Sequence, residues 1–371
     1  MGARLHPGSN VLVSGVTGLI GGELFRQLAA QPRAGRLWAV VRPAADLTAA
    51  ERLERRLLRS GDERRLGPDV RALPGDVLER DWGLTGGDLT EVVEAADLVI
   101  HSAADTSFAV RRDTARTNVQ SVTRLIDLAR ACARPPLIVY ISTAANVGDV
   151  TGRCLTEAEG CCPDGRHHND YTHSKAVGEQ LLLDSGLPVL VLRPSIVLSA
   201  GLPDAAFARQ ILWCAPLSRA FRALPLDPAA RLDIVDVGFV ASAALRLMAQ
   251  PARRHDTYYL SAGPGGAVTM GQLADVVGAT YGRKTPLTLL PPAAWGRAEH
   301  AAYVRTGVQR RVFRSLRTYL PFLNMDVVYA DARLRADLGD DTPAVLPPDL
   351  YLPDLLRLIG TKAALREAAV P

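Results

Sequence analysis

With 371 residues, 48% of them apolar and 22% charged, the chain has material for a large buried core and the polarity of an ordinary globular enzyme. A net charge of +4 is mild at this length, and no RNP, zinc-finger or helix-turn-helix pattern accompanies it, so nucleic-acid binding is not expected. Five cysteines (Cys132, Cys154, Cys161, Cys162, Cys214) without CxxC spacing argue against a disulfide framework or a metal site. The opening MGARLHPGSN has no apolar core of signal-peptide length, and runs such as LLLDSGLPVLVLRPSIVL are broken by Asp184, Pro188 and Arg193. The expectations are a reducing, cytoplasmic location and no transmembrane segment; the oligomeric state stays open.

Residues 10–14 (NVLVS) form a short apolar run that stops at Gly15, and helical spacing resumes from about Gly21 to Ala30. Strand, turn and helix in that order open a doubly wound sheet. The connecting loop, Gly15-Val16-Thr17-Gly18-Leu19-Ile20-Gly21, reads GxxGxxG. Its glycines let the backbone approach a pyrophosphate seated on the amino end of the helix, where free amides and the helix dipole favour an anion. The plainer alternative is a glycine-rich turn without a ligand.

The second apolar run, LWAVV at 37–41, ends on Val41 and Arg42. An acid at that position would suit the ribose 2′-hydroxyl of NAD, whereas a cation suits the 2′-phosphate of NADPH, so NADPH is the expected cofactor. The alternative is a surface arginine at a strand end. A further short strand, Val70 to Leu73, precedes Asp76 and Val77, and the Asp76 carboxylate could accept from the adenine amino group. Runs follow at 97–103 (DLVIHSA), 137–142 (LIVYIS) and 188–194 (PVLVLRP), separated by helical segments. Together they predict an α/β fold, a Rossmann-type parallel sheet with right-handed crossovers over residues 1–200. Small side chains at Ser102, Ala103 and Ala104 would let the cofactor lie against the backbone, and Pro194, Ser195 and Ile196 complete its expected contacts.

In DYTHSKAVGEQLL, Tyr171 and Lys175 stand four apart. On a helix they share a face, so the ammonium can sit beside the phenol and favour its ionised form. Such a tyrosine can give or take a proton near neutral pH. A solvated lysine on an exposed helix is the bland reading, and Thr143, 28 residues upstream, is what weighs against it.

Taken in order, SGVTGLIGGEL, GDV, HSAAD, RTNVQSV, VYISTAANVGD, YTHSK and LRPSIV resemble the extended short-chain dehydrogenase/reductase superfamily over about residues 10–200. The resemblance implies a catalytic Thr143, with Ser142 as the neighbouring candidate, and matches Tyr171 and Lys175 to the Tyr-xxx-Lys pair. It also matches Asn118 to the tetrad asparagine that supports a water path to the lysine. Hydride addition to a carbonyl carbon would then draw a proton from Tyr171 and a second hydrogen bond from Thr143, with Lys175 holding the nicotinamide ribose and depressing the Tyr171 pKa. His173 is read as a packing or surface residue.

Within the superfamily, the charged segment LTAAERLERRLLRSGDERRLG after Val41-Arg42, GDVLERDWGLTGGDL, ISTAANV and LDIVDVGFVASAAL look like the thioester reductase and fatty acyl reductase branch, the male-sterility-type NAD-binding proteins. That resemblance implies an acyl thioester on an acyl carrier protein or coenzyme A as substrate, giving an aldehyde and then, where a second hydride follows, an alcohol. The rival is a ketone or aldehyde reductase, or another extended dehydrogenase or epimerase, acting on a free small molecule. A cofactor-sensing interaction protein would have no need of Thr143, Tyr171 and Lys175 together.

From about residue 200 the strand pattern fades and proline becomes frequent (Pro203, Pro216, Pro225, Pro228). Residues 201–371 are expected to be a smaller, mostly helical substrate-binding or lid region, with a returning strand at 257–263 and a helix at 268–281. In WGRAEHAAYVRTGVQRRVFRSLRTYL, six arginines face one acid, Glu299, while Val308, Val312, Phe313 and Leu316 recur at helical spacing. The cationic side could meet an acidic carrier protein, coenzyme A phosphates or an anionic membrane, or could simply be solvated.

Overall fold

In the computed structural model, residues 4–32, 34–44, 46–59, 67, 69–108, 113–200 and 211–360 are described. Seven strands form the central sheet: β1 (Val11–Ser14), β2 (Leu37–Val41), β3 (Val70–Pro74), β4 (Leu98–His101), β5 (Leu137–Ile141), β6 (Val189–Pro194) and β7 (Thr257–Leu260). They lie in the order β7-β6-β5-β4-β1-β2-β3 with every pairing parallel. Five of the six earlier strands are buried along their whole length, because a parallel sheet is covered on both faces.

Period-two alternation sorts the strand residues between two cores. Val11, Val13, Leu37, Ala39 and Val41 join one core with α1 (Leu19–Ala30) and the later helix over Val237–Ala249. Leu12, Trp38 and Val40 join the other, with Trp82 and the apolar side of the helix over Thr114–Ala131. In chain order the remaining helices used below are α2 (Ala49–Arg59), α3 (Gly86–Ala95), α4 (Thr114–Ala131), α5 (Asp170–Leu183), α6 (Val237–Ala249), α7 (Met270–Thr280), α8 (Arg297–Tyr303), α9 (Gly307–Leu316), α10 (Leu320–Leu323), α11 (Ala332–Leu338) and α12 (Pro348–Ile359).

Strand order reverses between β1 and β4, the place where such sheets open a crevice at their carboxyl ends. The observed strands are shorter than the apolar runs there. β4 stops at His101, so Ser102, Ala103 and Ala104 leave the sheet as loop, and α1 starts at Leu19, two residues before the expected Gly21.

The division at residue 200 is not a clean cut. α6 packs against α1, β7 completes the sheet beside β6, and Leu334 and Leu338 of α11 join the first core. A third core, containing Leu212, Phe221, Leu273, Phe313, Leu316, Tyr351 and Leu356, knits α7, α9 and α12 together. The expected helix at 268–281 is α7, started by a Thr269–Gln272 capping box. Pro203 and residues 60–66 of the charged segment after β2 lie outside the described residues.

Candidate active site

The crevice is a cleft of about 440 Å³ whose floor is the carboxyl edge of the sheet. Thr17, Gly18, Leu19, Ile20, Ser102, Ala104, Thr143, Tyr171, Lys175, Pro194, Ser195 and Ile196 all line it. Gly15 and Gly21 stand behind this wall and shape it. Gly15 holds φ +76°, and a Cβ there would lie 2.5 Å from the amide nitrogen of Ala103, so the two loops can touch only through glycine. The Gly18 amide donates to the Gly15 carbonyl at 2.9 Å, which folds the loop over the start of α1. That helix has no side-chain cap and no acid in its first turn, leaving its first amides to face the cleft. This arrangement fits a dinucleotide phosphate.

Behind the loop lies a cation that sequence reasoning passed over. Arg56 of α2 is 5% exposed and donates to the Gly18 carbonyl at 3.3 Å. Its i, i+3 spacing from the buried Leu53 was the available signal in a segment read only for its likeness to the thioester reductase branch.

Arg42 and Asp76 end neighbouring strands and pair with each other, Arg42 Nη1 to Asp76 Oδ2 at 3.6 Å. Neither lines the cleft, nor do Val77, Ala103 or Asn118. Arg42 is exposed, and the other Asp76 oxygen accepts from the Leu78 amide at 3.0 Å in an Asx turn.

Thr143 and Ser142 separate by their surroundings. The Ser142 hydroxyl donates to the Glu179 carboxylate at 2.6 Å, and Asn146 and Arg193 close on the same carboxylate at 2.5 Å each. Glu179 is fully buried and Arg193 is 2% exposed, so this is an interior ion pair beneath the cleft floor. Thr143 instead faces Tyr171, whose phenol it hydrogen-bonds, and its oxygen also accepts from the Ala145 amide at 3.3 Å.

Tyr171 and Lys175 share one face of α5 as the spacing requires, but the charge relation differs from the expected one. Lys175 turns under the tyrosine: its Nζ donates to the Ile141 carbonyl at 2.5 Å and sits 3.9 Å from the Tyr140 ring centroid. Burial drives its pKa down to about 7 against the opposing pull of Glu179. Burial likewise pushes the Tyr171 phenol up to about 12, with only Thr143 favouring the phenolate. The expected lowering of the Tyr171 pKa by Lys175 is therefore absent here, because the ammonium is directed at a carbonyl and a ring rather than at the phenol.

Asn118 is a clamp. Its amide donates to the Asp105 carbonyl at 3.0 Å and to the Ser174 hydroxyl at 2.9 Å, and its carbonyl accepts from the Asp105 amide at 2.8 Å. It joins the loop after β4 to α5 one residue before Lys175, with its donors and acceptor engaged in protein contacts. His173 bonds the Pro163 carbonyl at 3.0 Å, in keeping with a packing role.

The far wall comes from residues that the sequence did not single out. Phe108 stacks on Tyr171 with ring centroids 6.0 Å apart, on Tyr319 at 5.1 Å and edge-on to Phe322 at 5.4 Å, so an aromatic bridge spans the cleft beside the phenol. Met325, Val327 and Tyr329 continue it. Asp233, in the LDIVDVGFV stretch, also faces the cleft, yet its oxygens accept from the Ala262 and Tyr329 amides at 2.8 and 3.2 Å. Burial raises its pKa to about 6, and these bonds hold two walls together. Among the described residues no cluster of His, Cys, Asp and Glu suits a metal ion, and no helix is long and apolar enough to cross a membrane.

Several known proteins are similar to this chain in sequence or in fold. Over 228 residues the chain is 26% identical to mouse fatty acyl-CoA reductase 2, covering 53% of this chain and 44% of that one. Over 272 residues it is 27% identical to a nonribosomal peptide synthetase of Aspergillus flavus, covering 67% of this chain and 26% of the synthetase. The matched region thus spans less than half of either curated relative. Among solved structures, the terminal R domain from the myxalamid PKS-NRPS pathway superposes with a TM-score of 0.77 at 22% identity, over 98% of this chain and 94% of that one. The reductase (R) domain of a Mycobacterium tuberculosis nonribosomal peptide synthetase gives 0.63 at 23% identity, over 96% and 95%. Residues 13–244 match the Male sterility protein family, and with the Rossmann sheet, the glycine loop and the Tyr-xxx-Lys helix in place, the chain belongs to that family of NAD-binding, extended short-chain dehydrogenase/reductase-type oxidoreductases.

Proposed function

We propose that the protein reduces an acyl thioester, carried on an acyl carrier protein or coenzyme A, to an aldehyde with NADPH. The observation that carries this reading is the convergence of Thr143, Tyr171 and Lys175 on one cleft that also receives the amino end of α1 and is walled by aromatic and apolar side chains. Bound nicotinamide would supply hydride to the thioester carbon. Tyr171 holds its proton at neutral pH, since its pKa lies near 12, and gives it up only to a strongly basic oxygen such as the oxyanion that forms on hydride addition. Thr143 offers that oxygen a second hydrogen bond. The hemithioacetal then gives up its hydroxyl proton as its C–S bond breaks, the departing thiolate takes up a proton in exchange, and aldehyde and thiol are the products. Lys175, positioned by Ile141 and Tyr140, is the cation available to the ribose hydroxyls.

Both curated relatives described above include acyl reductase or peptide synthetase chemistry in their names, which supports a thioester over a free ketone. The exposed Arg42 guanidinium at the end of β2 supports a 2′-phosphate, and Asp76 beside it would orient that guanidinium. The helical part beyond residue 211, with α9, α10 and α12, would serve as the substrate-binding region.

The test is to incubate the protein with NADPH and matched acyl-coenzyme A, acyl-carrier and free carbonyl substrates, following NADPH oxidation and thiol release together. Thiol appearing in step with NADPH loss is the expected result. NADPH consumed only with free carbonyls, without thiol, would overturn the thioester assignment.

A further inference from the structure

Away from the cleft, charge is most one-sided along residues 295–320. Arg297, Arg305, Arg310, Arg311, Arg314 and Arg317 are all exposed, and among the described residues none of them is ion-paired with a carboxylate. The one acid of the segment, Glu299, is occupied in capping α8, where it accepts from the Gly296 amide at 2.9 Å. Two helices share the segment: α8 ends at Tyr303, and a Thr306–Gln309 capping box starts α9, which carries the apolar residues read at helical spacing.

α9 is held in place from beneath. Phe313 and Leu316 are buried in the third core, Val312 packs against it, and the Gln309 amide donates to the Ala220 carbonyl at 2.6 Å. The period of the helix then turns Arg310, Arg311 and Arg314 outward, with Arg317 following at its end. Val308, expected on the buried face, is 66% exposed and stands one turn from Arg311. The result is an apolar knob beside exposed guanidiniums that no carboxylate among the described residues pairs; Arg310 Nη1 donates only to the Arg305 carbonyl, at 2.6 Å. Three residues beyond α9, Tyr319 lines the cleft, so this face ends at the cleft mouth.

From this placement, and resting on the thioester reading above, we infer that the outer face of α9 is the docking surface for an acidic carrier domain that presents its acyl thioester to the cleft. Charge complementarity identifies the partner. A lipid surface needs an apolar face to insert, and that of α9 is already in the core apart from Val308. A coenzyme A phosphate needs guanidiniums that converge, whereas these spread around the outer side of about 15 Å of helix. An acidic protein surface is the ligand that an extended cationic face with one apolar knob can cover.

The experiment compares the parent with an Arg310→Glu/Arg311→Glu/Arg314→Glu variant, whose changes lie on the exposed face. The acyl group turned over best in the panel above is supplied three ways: on an acidic acyl carrier protein, as its coenzyme A ester and as its N-acetylcysteamine thioester. The expected result is a loss in kcat/KM of at least about tenfold with the carrier substrate, the scale of electrostatic steering. The salt dependence of that reaction should flatten, and turnover of the N-acetylcysteamine thioester should stay within about twofold of the parent, as expected when steering alone is lost. An unchanged carrier reaction overturns the docking surface, as does an equal loss on all three substrates. Loss confined to the coenzyme A ester makes the face a phosphate site instead, and vesicle binding by the parent alone, with the carrier reaction unaffected, makes it a membrane site. A parent that turns over none of the three thioesters refutes the functional reading itself and this inference with it.

Discussion

Replacing Lys175 by methionine separates what the cleft needs for chemistry from what the fold needs for stability. The lysine is 3% exposed, and burial lowers its pKa from 10.5 to about 7. Each pKa unit corresponds to about 1.4 kcal/mol, so sheltering the ammonium costs the folded state a ceiling of about 5 kcal/mol at pH 6. Methionine removes that cost but leaves the Ile141 carbonyl without its donor, a loss of about 1–3 kcal/mol. The apo variant should therefore be more stable than the parent by roughly 2–4 kcal/mol at pH 6, with a melting temperature several degrees higher.

The pH dependence carries the sharper test. A base whose folded pKa lies below its unfolded value binds more protons unfolded than folded between about 7 and 10.5, so the parent gains stability across that window as pH rises. The advantage of Lys175→Met should be full below pH 7, should shrink by roughly 3 kcal/mol between pH 6 and pH 9, and should cross zero between about pH 8.5 and 10. Scanning calorimetry of both proteins at the two pH values reads this difference directly, and the same variant should reduce no thioester. A variant less stable than the parent by the same margin at both pH values would refute the reasoning, because the ammonium would then be fully compensated where it lies.

Other consequences are of the same kind. Arg42→Ala should raise the KM for NADPH about 10- to 100-fold, the worth of a charge-assisted hydrogen bond, while leaving that for NADH nearly unchanged; equal effects on both would remove the 2′-phosphate from its role. Glu179→Gln strips the counter-charge from the buried Arg193 and should destabilise the protein by about 3–5 kcal/mol, against about 1 kcal/mol for Ser142→Ala, as chemical denaturation would show. Phe108→Ala removes the ring that stacks on Tyr171, Tyr319 and Phe322 and should raise the acyl substrate KM several-fold more than it lowers kcat, with aromatic pairs worth about 0.5–1.5 kcal/mol each.

The parts of this protein that could be read from its residues are those set by local rules. Strands buried on both faces announce themselves as unbroken apolar runs, and the glycine loop is legible because only glycine holds φ +76° against the Ala103 amide. Thr143, Tyr171 and Lys175 were found because two elements, β5 and α5, fix their spacing. Phe108, Asp233 and Tyr319 were not, since each reaches the cleft by a tertiary path: a loop leaving β4, a segment before α6 and the turn after α9. No periodicity in the sequence records that three such loops end at one crevice. Val308 misled for the complementary reason, because helical spacing places it on the side of Val312, yet the third core ends short of it.

Glu179 shows why the local signal and the chemistry are hard to separate. It follows Lys175 by one helical turn on α5, and from that helix its carboxylate holds Ser142 and Asn146, on the segment of Thr143, and Arg193, next to the Pro194–Ile196 wall, so three segments meet on it. A single buried charge thus fixes the distances among these cleft-lining groups and, through its field, keeps the Lys175 pKa from falling as far as burial alone would drive it. Neither role can be altered without the other. Glutamine at 179 would loosen the three segments and at the same time favour neutral Lys175, so the limb of the pH–rate profile that reports this lysine should move to lower pH together with the loss in stability. Were stability lost while that limb stayed in place, Glu179 would be a structural counter-ion to Arg193 alone, and the lysine would owe its charge to another source.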